Sequence, residues 1–180
     1  SPGDIPEFAG DIYSEAQRLI TLVDDILHLS QLDEEAPLPR SEIDLRAMCE
    51  SVAERLRQPA EKAGVSISVT GDSPTVTGAQ SVVDEIIFNI CENAVKYNRR
   101  GGNVIISLHD KPGEVELSVS DTGIGIPAAH RERVFERFYR VDKSHSKEIG
   151  GTGLGLSIVK HGCASQGIAL SLESEVDAGT

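Results

Sequence analysis

The chain has 180 residues, of which 39% are hydrophobic and 26% charged, and its formal net charge is −12. This length suits one well-packed domain with an appended element, and the scarcity of aromatic residues, 4%, predicts an aliphatic core. The negative charge argues against a general nucleic-acid binder, which displays a basic face to phosphates, and against an anionic membrane surface. No apolar run approaches the roughly 20 residues of a membrane-spanning helix, so this part of the chain is expected to be soluble.

The three cysteines are widely spaced, and each lies in a stretch with helical character. An odd number at such spacing does not indicate a disulfide or metal framework. They are therefore predicted to be reduced core residues in a cytosolic protein: Cys49, Cys91 and Cys163.

The first organised stretch repeats apolar residues in steps of four and three, which predicts one long amphipathic helix. A lone helix of this kind is marginal in water, so its stripe needs a partner helix or a second protomer. A proline-containing linker is expected over residues 35–42, which leaves residues 1–34 as the helical unit and residues 43–180 as a separate domain. The stripe comprises Ile12, Ala16, Leu19, Val23, Ile26 and Ser30, widened by Ile20 and Leu27.

Beyond the linker, helices interleave with short alternating strands. Asp44 is a suitable N-cap and Gly64 a suitable C-terminal stop for the first of these helices. Helices interleaved with hairpins favour an α+β fold, a two-layer α/β sandwich with a mixed, mainly antiparallel sheet. The predicted elements are helices at 44–63, 80–97 and 154–166, and strands at 65–69, 103–109, 115–120 and 168–173.

The chemical motifs begin on the second of these helices. Asn89 and Asn93 are four residues apart and therefore share one helix face. Lys96 and Tyr97 follow one turn later. Amide oxygens beside an ammonium group can form a cradle for Mg²⁺ and phosphate oxygens. Taken alone, however, the pattern is better explained by ordinary polar surface residues.

A carboxylate and two glycines follow directly on a predicted strand, in the run from Asp121 to Ile126. An ionised carboxylate only accepts hydrogen bonds, so Asp121 would match the exocyclic amine of adenine and reject the carbonyl of guanine. Gly123 and Gly125 would let a ligand approach the backbone closely. As a bare pattern, this run is more often an ordinary turn.

A second glycine loop, residues 151–156, opens straight into the last predicted helix. Backbone N–H groups and the helix dipole make such a start suitable for phosphate binding. Its glycine spacing differs from the Rossmann pattern, and it lacks the lysine of a Walker loop. Its residues are Gly151, Thr152, Gly153, Leu154, Gly155 and Leu156.

In this order and spacing, the motifs resemble the four boxes of bacterial sensor histidine kinases. Residues 89–97 resemble the N box, 121–126 the first glycine box, 135–142 the phenylalanine box and 151–156 the second glycine box. Residues 16–33 resemble the second helix of that family's dimerisation and phosphotransfer domain. The resemblance implies the Bergerat ATP-binding fold, with ATP and Mg²⁺ as ligands.

The resemblance also implies roles for individual residues. Asn93, helped by Asn89, would hold Mg²⁺, and Asp121 would bind adenine. Residues from about 127 to 150 would form a mobile ATP lid, within which Arg140 is the preferred group for stabilising the transferred phosphate. Arg137 and Lys147 are weaker candidates. Catalytic roles fall to Arg140, Lys96 and Asn89, and the nucleotide would be bound by Asn89, Asn93, Lys96, Tyr97, Asp121, Gly123, Gly125, Ile126, Arg140, Lys147, Gly151, Thr152, Gly153, Leu154, Gly155 and Leu156.

Two phenylalanines of the third box have a simpler expected role. Phe135 and Phe138 are expected to pack the lid against the body of the domain.

Position 89 separates branches of the superfamily. Hydrolytic relatives carry a glutamate there as base for an attacking water, and the amide of Asn89 cannot take that proton. Phosphoryl transfer to a protein side chain is therefore expected. Two alternatives stay open, namely an anti-sigma serine kinase of the same fold and a nucleotide-gated interaction module without catalysis. The heptad helix argues against the first, and intact Asn93, Lys96 and Arg140 argue against the second.

None of the five histidines has the sequence context of the family's phosphoacceptor, which lies in a helix preceding the one at the start of this sequence. The chain alone is therefore expected to bind ATP without phosphorylating itself. The family's final strand is expected beyond Thr180. The resemblance further implies a response-regulator receiver domain as partner, and a homodimeric, membrane-anchored parent protein acting in the cytoplasm. The histidines are His28, His109, His130, His145 and His161.

Overall fold

The computed structural model describes residues 38–141 and 152–180, together with 9–10, 12–13, 15–16, 19–20, 22–23 and 27. The described positions between 9 and 27 are helical, and the apolar side chains of Ile12, Leu19 and Val23 are exposed there. Leu22, which lies outside the predicted stripe, packs against the buried side chains of Leu154 and Ile158. In the described part of the chain, no helix is both long enough and apolar enough to cross a bilayer.

Three helices form one layer of the domain, and their ends follow the capping signals. Helix α1 spans Leu45–Ala63, α2 spans Gln80–Lys96 and α3 spans Gly155–Gln166. The side chain of Asp44 accepts a hydrogen bond from the Ala47 amide at 3.0 Å, which satisfies one of the free donors of the first turn. Gly64 ends α1 in the left-handed conformation, with φ of 69°.

The other layer is a three-stranded mixed sheet. Strand β2 (Ser66–Gly71) pairs in parallel with β4 (Asn103–Lys111), and β4 pairs antiparallel with β5 (Glu114–Asp121). Val104 lies opposite Asp121, so the last residue of β5 is held at the start of β4. The predicted α+β sandwich with a mixed sheet is confirmed.

Two further strands form a separate antiparallel ribbon that the sequence interpretation missed. Strand β1 (Ser41–Asp44) pairs with β3 (Thr75–Gly78), and Ile43 lies opposite Val76. Each strand has only four residues, too few for alternation to be recognised. The ribbon buries Ile43 in the core, and β1 occupies part of the predicted linker.

The core lies between the helices and the sheet and is aliphatic, as predicted. Its main cluster joins Val52 and Leu56 of α1, Ile87 of α2, and Ile106 and Leu108 of β4. All three cysteines are buried and unbridged, as expected. Burial raises the pKa of Cys49 to about 11 and that of Cys91 to about 12, so these thiols stay protonated at neutral pH.

The prediction of a strand at 168–173 was wrong. These residues alternate apolar and polar side chains, but they are irregular in the structure and pair with no strand of the described residues. Ile168 instead donates its amide to Cys163, closing the end of α3, and its side chain is 43% exposed. Alternation predicts a strand only where a neighbouring strand is available to pair with it.

Candidate functional site

Helix α2 forms the common wall of the predicted site. Val83, Ile87 and Ala94 are buried on its core side, while Asn89 and Asn93 are half-buried on the other. The hydrophobic stripe thus fixes the rotation of the helix and turns both asparagines away from the core. The predicted face is confirmed.

The asparagine pair meets the second glycine loop. An idealised Cβ on Gly155 would lie 2.9 Å from Oδ1 of Asn89 and 3.6 Å from Nδ2 of Asn93. A larger residue at 155 would therefore press against the amide of Asn89. The Nδ2 of Asn89 donates to the Glu85 carbonyl at 2.9 Å, which leaves its oxygen facing the loop.

Within this loop, backbone bonds connect the lid region to the start of α3. Gly153 has φ of +75°, and its carbonyl accepts the Phe138 amide at 2.9 Å. Thr152 accepts the Leu154 amide on its hydroxyl at 3.2 Å. A Cβ on Gly153 would lie only 3.0 Å from the Phe138 carbonyl carbon, so this close approach requires glycine.

The expected packing role of the phenylalanines needs correction at Phe138. Its side chain is 58% exposed, its φ is +64°, and its backbone lies against Gly153. Phe135 is half-buried, and the buried apolar residue of this segment is Val134.

The N-terminus of α3 follows the second glycine loop directly. Leu154 is fully buried and packs with Ile158 and Leu22, whereas Gly155 and Leu156 are half-buried. Among the described residues, no side chain caps this end. Its first amides and the positive end of the helix dipole thus lie beside the two asparagines, an arrangement suited to an anion.

Lys96 lies at the C-terminal end of α2, where charged neighbours influence its pKa. Burial lowers the pKa of the half-buried Lys96, and the nearby positive charge of Arg140 lowers it further, while Glu92 opposes both effects. The Nζ of Lys96 also lies 5.9 Å from the centroid of the Tyr97 ring. A half-buried ammonium group in this position is suited to binding an anion.

Asp121 occupies the other side of the same helix end. Its Oδ1 accepts the Gly123 amide at 2.7 Å, and Ile124 donates its amide to the Tyr97 carbonyl at 3.1 Å. A Cβ on Gly123 would lie 2.4 Å from that carbonyl, so only glycine allows this approach. Burial raises the pKa of Asp121, whereas amide hydrogen bonds from Gly123 and Thr180 act in the opposite direction.

The rest of the first glycine loop contacts residues near the C-terminus. Gly125 has φ of +66°, and a Cβ there would lie 2.0 Å from the Glu175 carbonyl oxygen. Ile126 donates its amide to the Ser174 hydroxyl at 2.8 Å. A cleft of 520 Å³ lies beside Asp121, with Arg131 and Leu172 in its lining.

Several of the predicted site residues therefore meet around α2, and others are not among the described residues. Lys147 and Gly151 fall outside the described residues, as do His28 and His145. Arg137 has its guanidinium 3.5 Å from Nε2 of His161 on α3.

The two remaining histidines make no contribution to the site that the structure describes. His130 bonds the Tyr139 hydroxyl through Nδ1, and His109 is exposed on β4.

Sequence reasoning missed the contribution of residues 174–180 to the surroundings of Asp121. Asp121 donates its amide to the Thr180 carbonyl at 2.8 Å, and Arg99 forms an ion pair with Asp177. The only signal in the sequence was the small polar composition of this stretch, which by itself indicates a turn.

Comparison with known proteins identifies the architecture. Residues 78–180 match the model of the histidine kinase-, DNA gyrase B-, and HSP90-like ATPase family. The chain belongs to this family. The matched range contains α2, both glycine loops and Asp121, so family membership confirms the fold that the sequence motifs implied. Because the family consists of ATPases, the domain is a nucleotide-binding one.

Two similar proteins are sensor histidine kinases. The chain is 36% identical to the sensor-like histidine kinase SenX3 of Mycolicibacterium smegmatis, over 99% of this chain and 47% of SenX3. It is 36% identical to the sensor histidine kinase WalK of Bacillus subtilis, over 97% of this chain and 29% of WalK. The chain thus spans less than half the length of these relatives.

Solved structures agree with this assignment. Full-length ShkA in complex with AMPPNP superimposes with a TM-score of 0.82 at 29% identity, covering 97% of this chain and 36% of ShkA. The mycobacterial sensor histidine kinase MprB gives a TM-score of 0.63 at 32% identity, covering 72% of this chain and 81% of MprB.

Proposed function

We propose that this chain is the ATP-binding catalytic part of a sensor histidine kinase, which transfers the γ-phosphoryl group of ATP to a histidine on a separate helix. The observation that carries this proposal is the convergence at α2: two asparagines face the second glycine loop, Lys96 lies at the helix end, and Asp121 lies beyond it. Its similarity to SenX3 and WalK supports the same activity.

The residues have complementary roles in this proposal. Asp121 accepts a hydrogen bond from the exocyclic amine of adenine. Phosphate oxygens bind to the start of α3 and to Lys96, and Arg140 stabilises charge on the transferred group. The amide oxygens of Asn93 and Asn89 fit Mg²⁺, which prefers oxygen ligands and retains waters. Bound Mg²⁺ would neutralise phosphate charge, as it does in other phosphoryl-transfer enzymes.

Transfer is favoured over hydrolysis by the chemistry of position 89. Asn89 has no group that can take a proton from water, and its amide is committed to the Glu85 carbonyl. The acceptor is therefore a protein side chain brought to the site. The exposed apolar side chains of Ile12, Leu19 and Val23 offer a surface for another helix, which supports a homodimeric parent protein.

Further proposals follow from the resemblance of the four boxes to those of sensor histidine kinases. We infer that the phosphoryl group passes onward to an aspartate of a response-regulator receiver domain. Membrane anchoring and a cytoplasmic location of the whole protein also remain predictions.

The activity can be tested by adding ATP labelled at the γ-phosphate, Mg²⁺ and the separately purified dimerisation hairpin of SenX3 from M. smegmatis. We expect label on the hairpin that is lost in acid and kept in alkali, as phosphohistidine is, and no label when the hairpin histidine is replaced by alanine. Acid-stable label on serine would favour a serine kinase. ATP binding without any transfer, also when the hairpin is fused to this chain, would favour a nucleotide-gated interaction module.

The lowered pKa of Lys96 makes a prediction about alkaline pH. Phosphate binding requires the protonated amine, so ATP affinity should fall as pH rises through a range below the value of about 10.4 of an ordinary lysine. Because bound phosphate favours the charged form, ATP binding should take up protons in this range. Calorimetry in two buffers of different ionisation enthalpy measures that uptake.

Two substitutions serve as controls for the lysine. Lys96→Arg should keep ATP affinity constant over the same pH range, since a guanidinium stays protonated. Lys96→Met should bind ATP about tenfold or more weakly at neutral pH, with no alkaline loss. An unchanged alkaline loss in Lys96→Arg would assign the titration to another group.

A further inference from the structure

The C-terminal turn, residues 174–180, folds back onto the first glycine loop. Glu175 and Gly179 form a bridge that closes the turn, and the Asp177 amide donates to the Ile124 carbonyl at 3.0 Å. Gly179 is buried, and a Cβ on it would lie 1.9 Å from the Asp121 carbonyl oxygen. The turn and the strand end that carries Asp121 are therefore in direct backbone contact.

Ser174 is the side chain that connects these parts. Its hydroxyl accepts the Ile126 amide at 2.8 Å and donates to the Gly179 carbonyl at 2.9 Å. The Thr180 hydroxyl lies 2.9 Å from the Ser174 hydroxyl oxygen. A hydroxyl has one proton and two acceptor positions, so with Thr180 as donor Ser174 is fully used inside the chain. It has no hydrogen-bonding capacity left for a ligand and must act through its neighbours.

Those neighbours hold Asp121 from two directions. On one side, the first glycine loop supplies the Gly123 amide to Oδ1 at 2.7 Å. On the other, the Thr180 carbonyl accepts the Asp121 amide at 2.8 Å. Ser174 joins the far end of the loop, at Ile126, to the residues next to Thr180. Loss of its hydroxyl would release the loop from the turn and loosen the orientation of the carboxylate.

We propose that Ser174 is a positioning residue of the nucleotide site, which orients Asp121 through Ile126 and Thr180 and thereby sets the preference for a base with a 6-amine. This inference rests on the proposed contact between Asp121 and adenine. Its effect should be confined to ligands that use that contact, because the phosphate-binding residues lie on the other side of α2.

The experiment compares ATP with purine riboside 5′-triphosphate, which has the same sugar and phosphates but no 6-amine. Binding of both is measured by calorimetry to the wild type, Ser174→Ala, Ser174→Thr and Ser165→Ala. Ser165 is the matched control, since its hydroxyl also donates to a backbone carbonyl, that of Gly162 at 2.9 Å, but on α3 away from both glycine loops.

Ser174→Ala should weaken ATP binding about three- to tenfold and leave purine riboside triphosphate binding unchanged. Ser174→Thr keeps the hydroxyl and should restore the preference, and Ser165→Ala should behave as the wild type. Equal weakening of both ligands would mean that Ser174 only supports folding, and would overturn the proposal. A wild type that does not distinguish the two ligands would instead overturn the proposed adenine contact of Asp121.

A second variant covers the case in which Ser174→Ala fails to fold. Thr180→Val keeps the backbone and the shape of the side chain but removes the hydroxyl that bonds Ser174. The same loss of preference for ATP is expected, of about threefold. A thermally stable Thr180→Val that keeps the full preference for ATP would contradict the coupling.

Discussion

Asp121→Asn should lower ATP affinity about 100-fold or more while the domain stays folded. The carboxylate can only accept hydrogen bonds, whereas an asparagine would keep its oxygen on the Gly123 amide and present its own NH₂ group to the adenine amine. Two donors would then face each other in a partly buried site. Calorimetric titration with ATP measures the loss, and thermal unfolding without nucleotide measures the stability.

The stability of this variant follows from the raised pKa of Asp121. An acid with a raised pKa in the folded state binds its proton more tightly when folded. The free energy of unfolding therefore falls as pH rises through that pKa, and at neutral pH the ionised carboxylate of Asp121 lowers stability. A neutral amide removes this destabilising charge, so the variant should melt at no lower a temperature than the wild type at pH 7. The advantage should shrink in acid, where the wild-type carboxyl is protonated.

Asp110→Asn is the matched control for Asp121→Asn. Asp110 is exposed near the other end of the β4–β5 ladder, opposite Val115, and should tolerate the amide without change in ATP affinity. Wild-type ATP affinity in Asp121→Asn would contradict the assignment and place base recognition on another group.

The helices of this domain could be predicted because their signals are local. An N-cap at Asp44, a left-handed glycine at Gly64 and the apolar stripe of α2 each act within a few residues. The same locality explains why the face carrying Asn89 and Asn93 was predicted correctly. Once a stripe is buried, the opposite face is determined.

Pairing between distant segments could not be predicted in the same way. The alternation at 168–173 resembles that of β5, yet only β5 has a partner among the described strands. The hydrogen bond from the Ile126 amide to the Ser174 hydroxyl joins residues 48 positions apart, and neither residue type predicts it. Phe138 shows a related limit, because this apolar side chain has a positive φ and is 58% exposed, which its residue type does not predict.

Asn93→Ala should reduce phosphoryl transfer to the SenX3 hairpin about 100- to 1,000-fold, a larger effect than on ATP binding. The amide of Asn93 lies between the second glycine loop and the cationic end of α2, where it can hold Mg²⁺ against the phosphates. Positioning of the metal contributes most in the transition state, so the rate should fall further than the affinity. The transfer rate at saturating ATP and the Kd for ATP with and without Mg²⁺ separate the two effects.

The dependence of ATP affinity on Mg²⁺ tests the role of Asn93 directly. In the wild type, chelation of Mg²⁺ should weaken ATP binding, and in Asn93→Ala this difference should largely disappear because the protein no longer contacts the ion. Asn103→Ala, which removes an exposed amide from β4, should retain the wild-type response. If Asn93→Ala kept the full Mg²⁺ dependence but lost transfer, Asn93 would act on the phosphate itself, and Asn89 would become the candidate for holding the ion.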